Sequence, residues 1–188
     1  MRGLARPAAI LLALALLAPR PGAADELRPP DSPAQHRQGL VLGAAVGTTA
    51  IDGLTCCTVY GLALGAQLGG MLSPHVALLV DAGAGLAKQD TRTVLHLTLA
   101  GAARAWPTDW AWLEAGGGVS HYDPALGGHP VQDDPYPTSN GVVLLLAGGV
   151  ELLQSRHLVL DLQVRGLIDR HPDGWITDVG VLLGASWY

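Results

Sequence analysis

The chain has 188 residues, 49% apolar and only 14% charged, with 25 glycines and no phenylalanine. Soluble domains carry roughly 25% charged residues, so neither a disordered segment nor an ordinary charge-coated globule fits this composition. A formal charge of −5 argues against a nucleic-acid partner, and the length allows one folded domain.

Residues 1–24 carry Arg2 and Arg6, an apolar run from Ala8 to Ala18, a Pro/Gly break, and then Gly22, Ala23 and Ala24. This is the pattern of a secretory signal peptide cleaved after Ala24. The run is too short for a membrane-anchoring helix, which needs roughly 20 apolar residues. No cysteine lies near the cleavage site, so a lipid anchor is not expected there. Loss of Arg2, Arg6 and Arg20 makes the mature chain more acidic still. Residues 25–37 are polar and proline-rich and are expected to form a flexible periplasmic leader.

From residue 38 onward the apolar residues alternate, and no stretch is apolar enough for a transmembrane helix. Eight strands are predicted, at 38–48, 58–70, 75–87, 92–105, 110–122, 141–153, 157–169 and 175–187. Each matches or slightly exceeds the roughly 9–11 residues of a tilted membrane-crossing strand. Ala and Leu also favour helix, but glycine recurs in nearly every segment, at about 1 kcal/mol each relative to alanine in a helix.

Every second residue lies on one face. In the second segment Tyr60, Leu62, Leu64, Ala66 and Leu68 oppose Gly61, Ala63, Gly65, Gln67 and Gly69; in the seventh, Leu158, Leu160, Leu162, Val164 and Ile168 oppose Asp161, Gln163, Arg165 and Asp169. A soluble barrel or sandwich would turn the second face to water and fill it with Lys, Glu, Ser and Thr. Here it is mostly Gly and Ala around a few charges. A narrow lumen accepts such a face, with Leu and Val pointing outward to lipid. An all-β, eight-stranded, antiparallel up-and-down transmembrane barrel is therefore predicted over 38–188.

Links two to three, four to five and six to seven are short, whereas links one to two and five to six are longer. Short links on one side mark the periplasmic end of such barrels. Trp106, Trp110, Trp112, Trp187 and Tyr188 are expected to form an aromatic belt at that rim, with Tyr60, Tyr122 and Trp175 at the other.

The terminal segment VGVLLGASWY alternates and ends on an aromatic. With the eight segments before it, it resembles the small outer-membrane barrels of Gram-negative bacteria, of the outer membrane protein A and opacity-protein kind. The resemblance implies residence in the bacterial outer membrane, outer-membrane lipid around the barrel, and insertion by the barrel-insertion machinery, which reads such a terminal strand. One departure is that alternation turns Trp187 outward and Tyr188 inward or to the rim, whereas the family places its terminal aromatic on the lipid face. The chain stops right after the last strand, so no peptidoglycan-binding domain is expected.

The inward face carries a predicted polar network of Asp81, His96, Arg104, Glu114, Glu151, Asp161, Arg165 and Asp178. Isolated charges cost several kcal/mol in a low-dielectric lumen, so these are expected to pair and plug the interior; the alternative is a narrow passive channel. His121, His129 and His171 with Asp123, Asp133 and Asp134 gather near the outer connections without metal-ligand spacing, and no metal or cofactor is implied. Ser120 and His121 are adjacent and face apart, which disfavours a nucleophile–base pair and hence a lipid-modifying enzyme. Cys56 and Cys57 could form a strained bridge, stay free or cross-link two molecules. Residues 123–140, rich in proline and acid, are the expected contact surface for an extracellular ligand. The function expected from these residues is structural or surface-interacting.

Overall fold

A computed structural model of the protein describes residues 37–53, 58–89, 92–124, 138–155 and 157–188. The predicted signal peptide, all of the leader except Arg37, Cys56 and Cys57, and residues 125–137 lie outside the described residues. The strands are β1 (Leu40–Asp52), β2 (Val59–Ser73), β3 (Val76–Gln89), β4 (Arg92–Ala105), β5 (Ala111–Asp123), β6 (Ser139–Gln154), β7 (Leu158–His171) and β8 (Gly174–Trp187). Each pairs antiparallel with its sequence neighbours, and β1 pairs with β8 to close the barrel. Closure satisfies every strand's ladder and leaves no open edge.

The strands run further at the outer end than alternation suggested. β1 continues to Asp52 through Thr49–Ile51, and β6 begins at Ser139. Two register shifts, at Met71/Ser73 and Glu151/Leu153, lie at the inner end. The second follows Glu151, which is inward on the same parity as Leu145, and leaves both Leu152 and Leu153 exposed; a bulge of this kind resets which side chains point inward at a barrel rim.

The exterior is an aliphatic sleeve. Leu42 and Val46 on β1, Leu64 and Leu68 on β2, Leu78 and Val80 on β3, Leu144 and Leu146 on β6, and Val181 and Leu183 on β8 are all exposed. Among the described outward-facing positions, charge first appears at the outer rim, with Asp52, Lys88, Asp123 and Arg170. Most leucines and valines point outward; a smaller set, with Val143, Leu145 and Leu167 beside Ala100 and Ala102, packs inside the barrel.

Three of the predicted belt aromatics belong to the interior instead. Trp106, Trp112 and Tyr122 are buried. Trp112 is two residues from inward Glu114, and Tyr122 two from inward Ser120, so the pleat fixes both inside. Trp106 follows the end of β4, and its backbone N–H donates to the His75 carbonyl (2.9 Å), which holds it over the inner mouth. Tyr188 joins it edge to face, ring centroids 5.9 Å apart, and Trp110 is half-buried. Of the predicted belt aromatics, Tyr60, Trp175 and Trp187 stand exposed at the rims. Glycine makes the room: the Cβ that Gly149 lacks would strike the Trp112 indole.

Candidate functional site in the lumen

The lumen is stratified. An apolar layer of Ile51, Val59, Ala87, Val94, Tyr122 and Ile176 packs near the outer mouth. Another, of Val41, Ala77, Leu79, Trp106 and Trp112, packs near the inner mouth. Charged residues lie between and beside them.

One chain of contacts crosses the barrel at mid-height. Arg104 donates from Nε and Nη2 to Glu114 Oε2 (2.8 and 2.7 Å) and from Nη2 to Gln67 Oε1 (2.6 Å). Gln67 Nε2 donates to Asp81 Oδ2 (2.9 Å). Arg165 Nη2 lies 2.5 Å from Asp81 Oδ1 and donates to Thr98 Oγ1 (3.2 Å). The Arg104 guanidinium also lies 3.9 Å from the Trp112 ring centroid. These contacts tie β2, β3, β4, β5 and β7 together across the interior. Buried charges placed this way offset part of each other's desolvation.

A second cluster lies toward the outer end. His96 Nδ1 is 3.1 Å from Asp178 Oδ2 and His96 Nε2 is 3.4 Å from Asp169 Oδ1, so β4 is clamped to β8 and β7. Both ring nitrogens face carboxylates, an arrangement that only the imidazolium serves with two donors. Thr49 Oγ1 donates to Asp178 Oδ1. Between this cluster and Arg165 is a cavity of about 20 Å³ bordered by Thr49, His96, Thr98, Arg165 and Asp178, room for about one water.

Above it, His171 Nδ1 is 2.8 Å from Ser139 Oγ and its Nε2 is 3.2 Å from Ser120 Oγ. A neutral imidazole can accept from one hydroxyl and donate to the other. Tyr122 packs edge to face on both His171 and His96. The set faces the lumen, not the exterior.

The eight residues assigned to the lumen from sequence are all buried there, but their partners differ from the simplest pairing. Arg104 and Glu114 meet directly. Arg165 reaches Asp81 on β3, not Asp161 on its own strand; Asp161 instead accepts from Gln163 Nε2 (2.9 Å). Glu151 meets Arg37, the last residue of the expected leader, which is here fixed in the inner mouth. Gln67, Thr98, Asp169 and His171 complete the network. All four share an inward parity that alternation makes visible, whereas Arg37 precedes the alternating region and gave no such signal. His121 turns outward and pairs with Asn140 (2.8 Å), separate from His171. Among the described residues no group of three His, Cys, Asp or Glu side chains is arranged to hold a metal ion.

No family model matches the chain, and no curated protein matches it in sequence. Solved structures do match. Neisserial surface protein A superposes with a TM-score of 0.66 at 14% identity, covering 79% of this chain and 96% of that one. The attachment invasion locus protein of Yersinia pestis gives 0.51 at 9% identity, covering 80% and 98%. The same Yersinia protein in complex with the heparin analogue sucrose octasulfate gives 0.50 at 9% identity, also covering 80% and 98%. The fold is that of the eight-stranded outer-membrane barrels. At these identities the likeness lies in the backbone.

Proposed function

We propose that this barrel spans a bacterial outer membrane after export through a cleaved signal peptide at residues 1–24, with its lumen plugged by its own side chains and its activity in the connections at the outer end. The carrying observation is the uncharged aliphatic sleeve. On β2 it runs from Tyr60 to Leu72, about 40 Å of strand, or about 30 Å along the axis at a tilt of about 40°. That fits an outer-membrane apolar band of roughly 25 Å with its interfaces. The short links and the C-terminal residue share one end, which faces the periplasm in this reading. Membrane fractionation with a gel comparing boiled and unboiled samples tests residence: a membrane-bound band with heat-modifiable mobility is expected, and a soluble periplasmic protein would defeat the proposal.

The surface role is assigned to the outer connections because binding groups are commonly carried on loops that a rigid frame presents. Their charge narrows the partner. Asp52, Asp123 and Asp173 lie at that end, and the sequences of its connections add Asp90, Asp133 and Asp134, against Lys88, Arg92 and Arg170. This acidic balance suits a cationic or neutral partner and not a polyanion such as the heparin analogue held by the Yersinia protein. Replacing residues 125–137 by a short Gly/Ser link is expected to leave a heat-modifiable barrel and to abolish binding of whole cells to host surfaces. Undiminished binding would move the activity elsewhere. Lipid modification is disfavoured, since the Ser139–His171–Ser120 set opens to the lumen and a lipid-modifying site must meet the exterior.

A further inference from the structure

Arg37 lies ahead of β1, yet it is only 2% exposed. Gly39, with φ of +82°, supplies the left-handed turn between Arg37 and the strand. The guanidinium then enters the inner mouth, where Nη2 meets Glu151 Oε2 at 2.7 Å and the Asp109 carbonyl at 2.6 Å. Its Cζ lies 4.9 Å from the Trp106 ring centroid. The receptor is built independently of Arg37: Trp106 Nε1 donates to Glu151 Oε1 (2.6 Å) and Gln154 Nε2 donates to Glu151 Oε2 (2.5 Å), while Tyr188 packs against Trp106. A carboxylate, a carbonyl and an aromatic face, all held by other contacts, are the elements that recognise a planar cation. Among the described residues, Arg37 Nε and Nη1 are buried without hydrogen-bond partners, so the guanidinium is engaged through one nitrogen only.

We propose that the inner mouth is a guanidinium-binding site, filled in cis by Arg37, which latches residues 37–39 onto the end of the lumen. Glu151 provides the charge, the Asp109 carbonyl the second acceptor and Trp106 the stacking face. Withdrawal of Arg37 leaves Glu151 as an unpaired buried carboxylate facing the periplasmic end, ready to accept another guanidinium. The inference deepens the filled-lumen reading and is tested apart from it: bilayer recordings of the wild type address the lumen as a whole, whereas the following measurement reads the mouth alone and does not require a membrane.

The full barrel is refolded in detergent as wild type, Arg37→Ala and Arg37→Ala/Glu151→Gln, and thermal unfolding is followed with and without millimolar methylguanidinium. The expected result is a rise in melting temperature on adding methylguanidinium to Arg37→Ala, with none in the wild type, whose site is filled, and none in the double variant, whose charge is gone. No rise in Arg37→Ala, or an equal rise in all three proteins, overturns the proposal. If Arg37→Ala does not refold, Arg37→Gln takes its place with the same criteria.

Discussion

Arg104 and Glu114 carry opposite charges on paired positions of β4 and β5, and both are sealed from water. Removing one partner from such a pair is costly because the other stays buried and charged, about 3–5 kcal/mol. Arg104→Met is expected to destabilise the barrel by that order in equilibrium urea unfolding, and Arg104→Met/Glu114→Leu to recover most of the loss. Glycines offer a second contrast at the same scale. The added methyl of Gly149→Ala meets the Trp112 indole, whereas at outward Gly101 nothing lies within 4 Å. Gly149→Ala should therefore displace Trp112, changing near-UV circular dichroism and lowering stability, while Gly101→Ala leaves both near wild type.

Along each strand, parity does most of the explaining. β7 places Leu158, Leu160 and Leu162 outside and Asp161, Gln163 and Arg165 inside, and the same count carried two steps further delivers Asp169 and His171 to the lumen. The strands and the buried charges they carry were therefore legible from period two, whereas buried Arg37, ahead of β1, was not. The aromatic positions were not. A belt is inferred from nearness to a strand end, but Trp112 and Tyr122 obey the pleat instead, and a glycine-lined interior has the volume to accept them. Partner choice was also hidden, because Arg165 meets Asp81 from a strand distant in sequence and Arg37 arrives from outside the repeat. An element-level test follows from the same parity. Val181→Arg, on the outward face of β8, is expected to cost about 2–4 kcal/mol in lipid vesicles, the range for a cation at the membrane midplane. An unchanged unfolding midpoint would mean that this face does not meet lipid.

For the molecule as a whole, the buried apolar clusters and the ionic contacts among them oppose conduction. The cavity beside His96 and Arg165 has room for about one water, far less than a hydrated ion needs. Planar-bilayer recordings should accordingly show no large, steady conductance from the wild type. Sustained channel activity would require the inner charges to part company and would restore the passive-channel reading.

The pairing of β1 with β8 extends from Leu42↔Trp187 to Asp52↔Thr177, so the first and last strands of the chain meet along a seam. That junction cannot exist until β8 has been synthesised. Before then every nascent intermediate carries two unzipped borders together with a coat of leucine and valine, the combination most prone to clumping in water. In the outer-membrane reading proposed above, the chain would travel unfolded and escorted, with folding deferred until β8 arrives to fasten the ring.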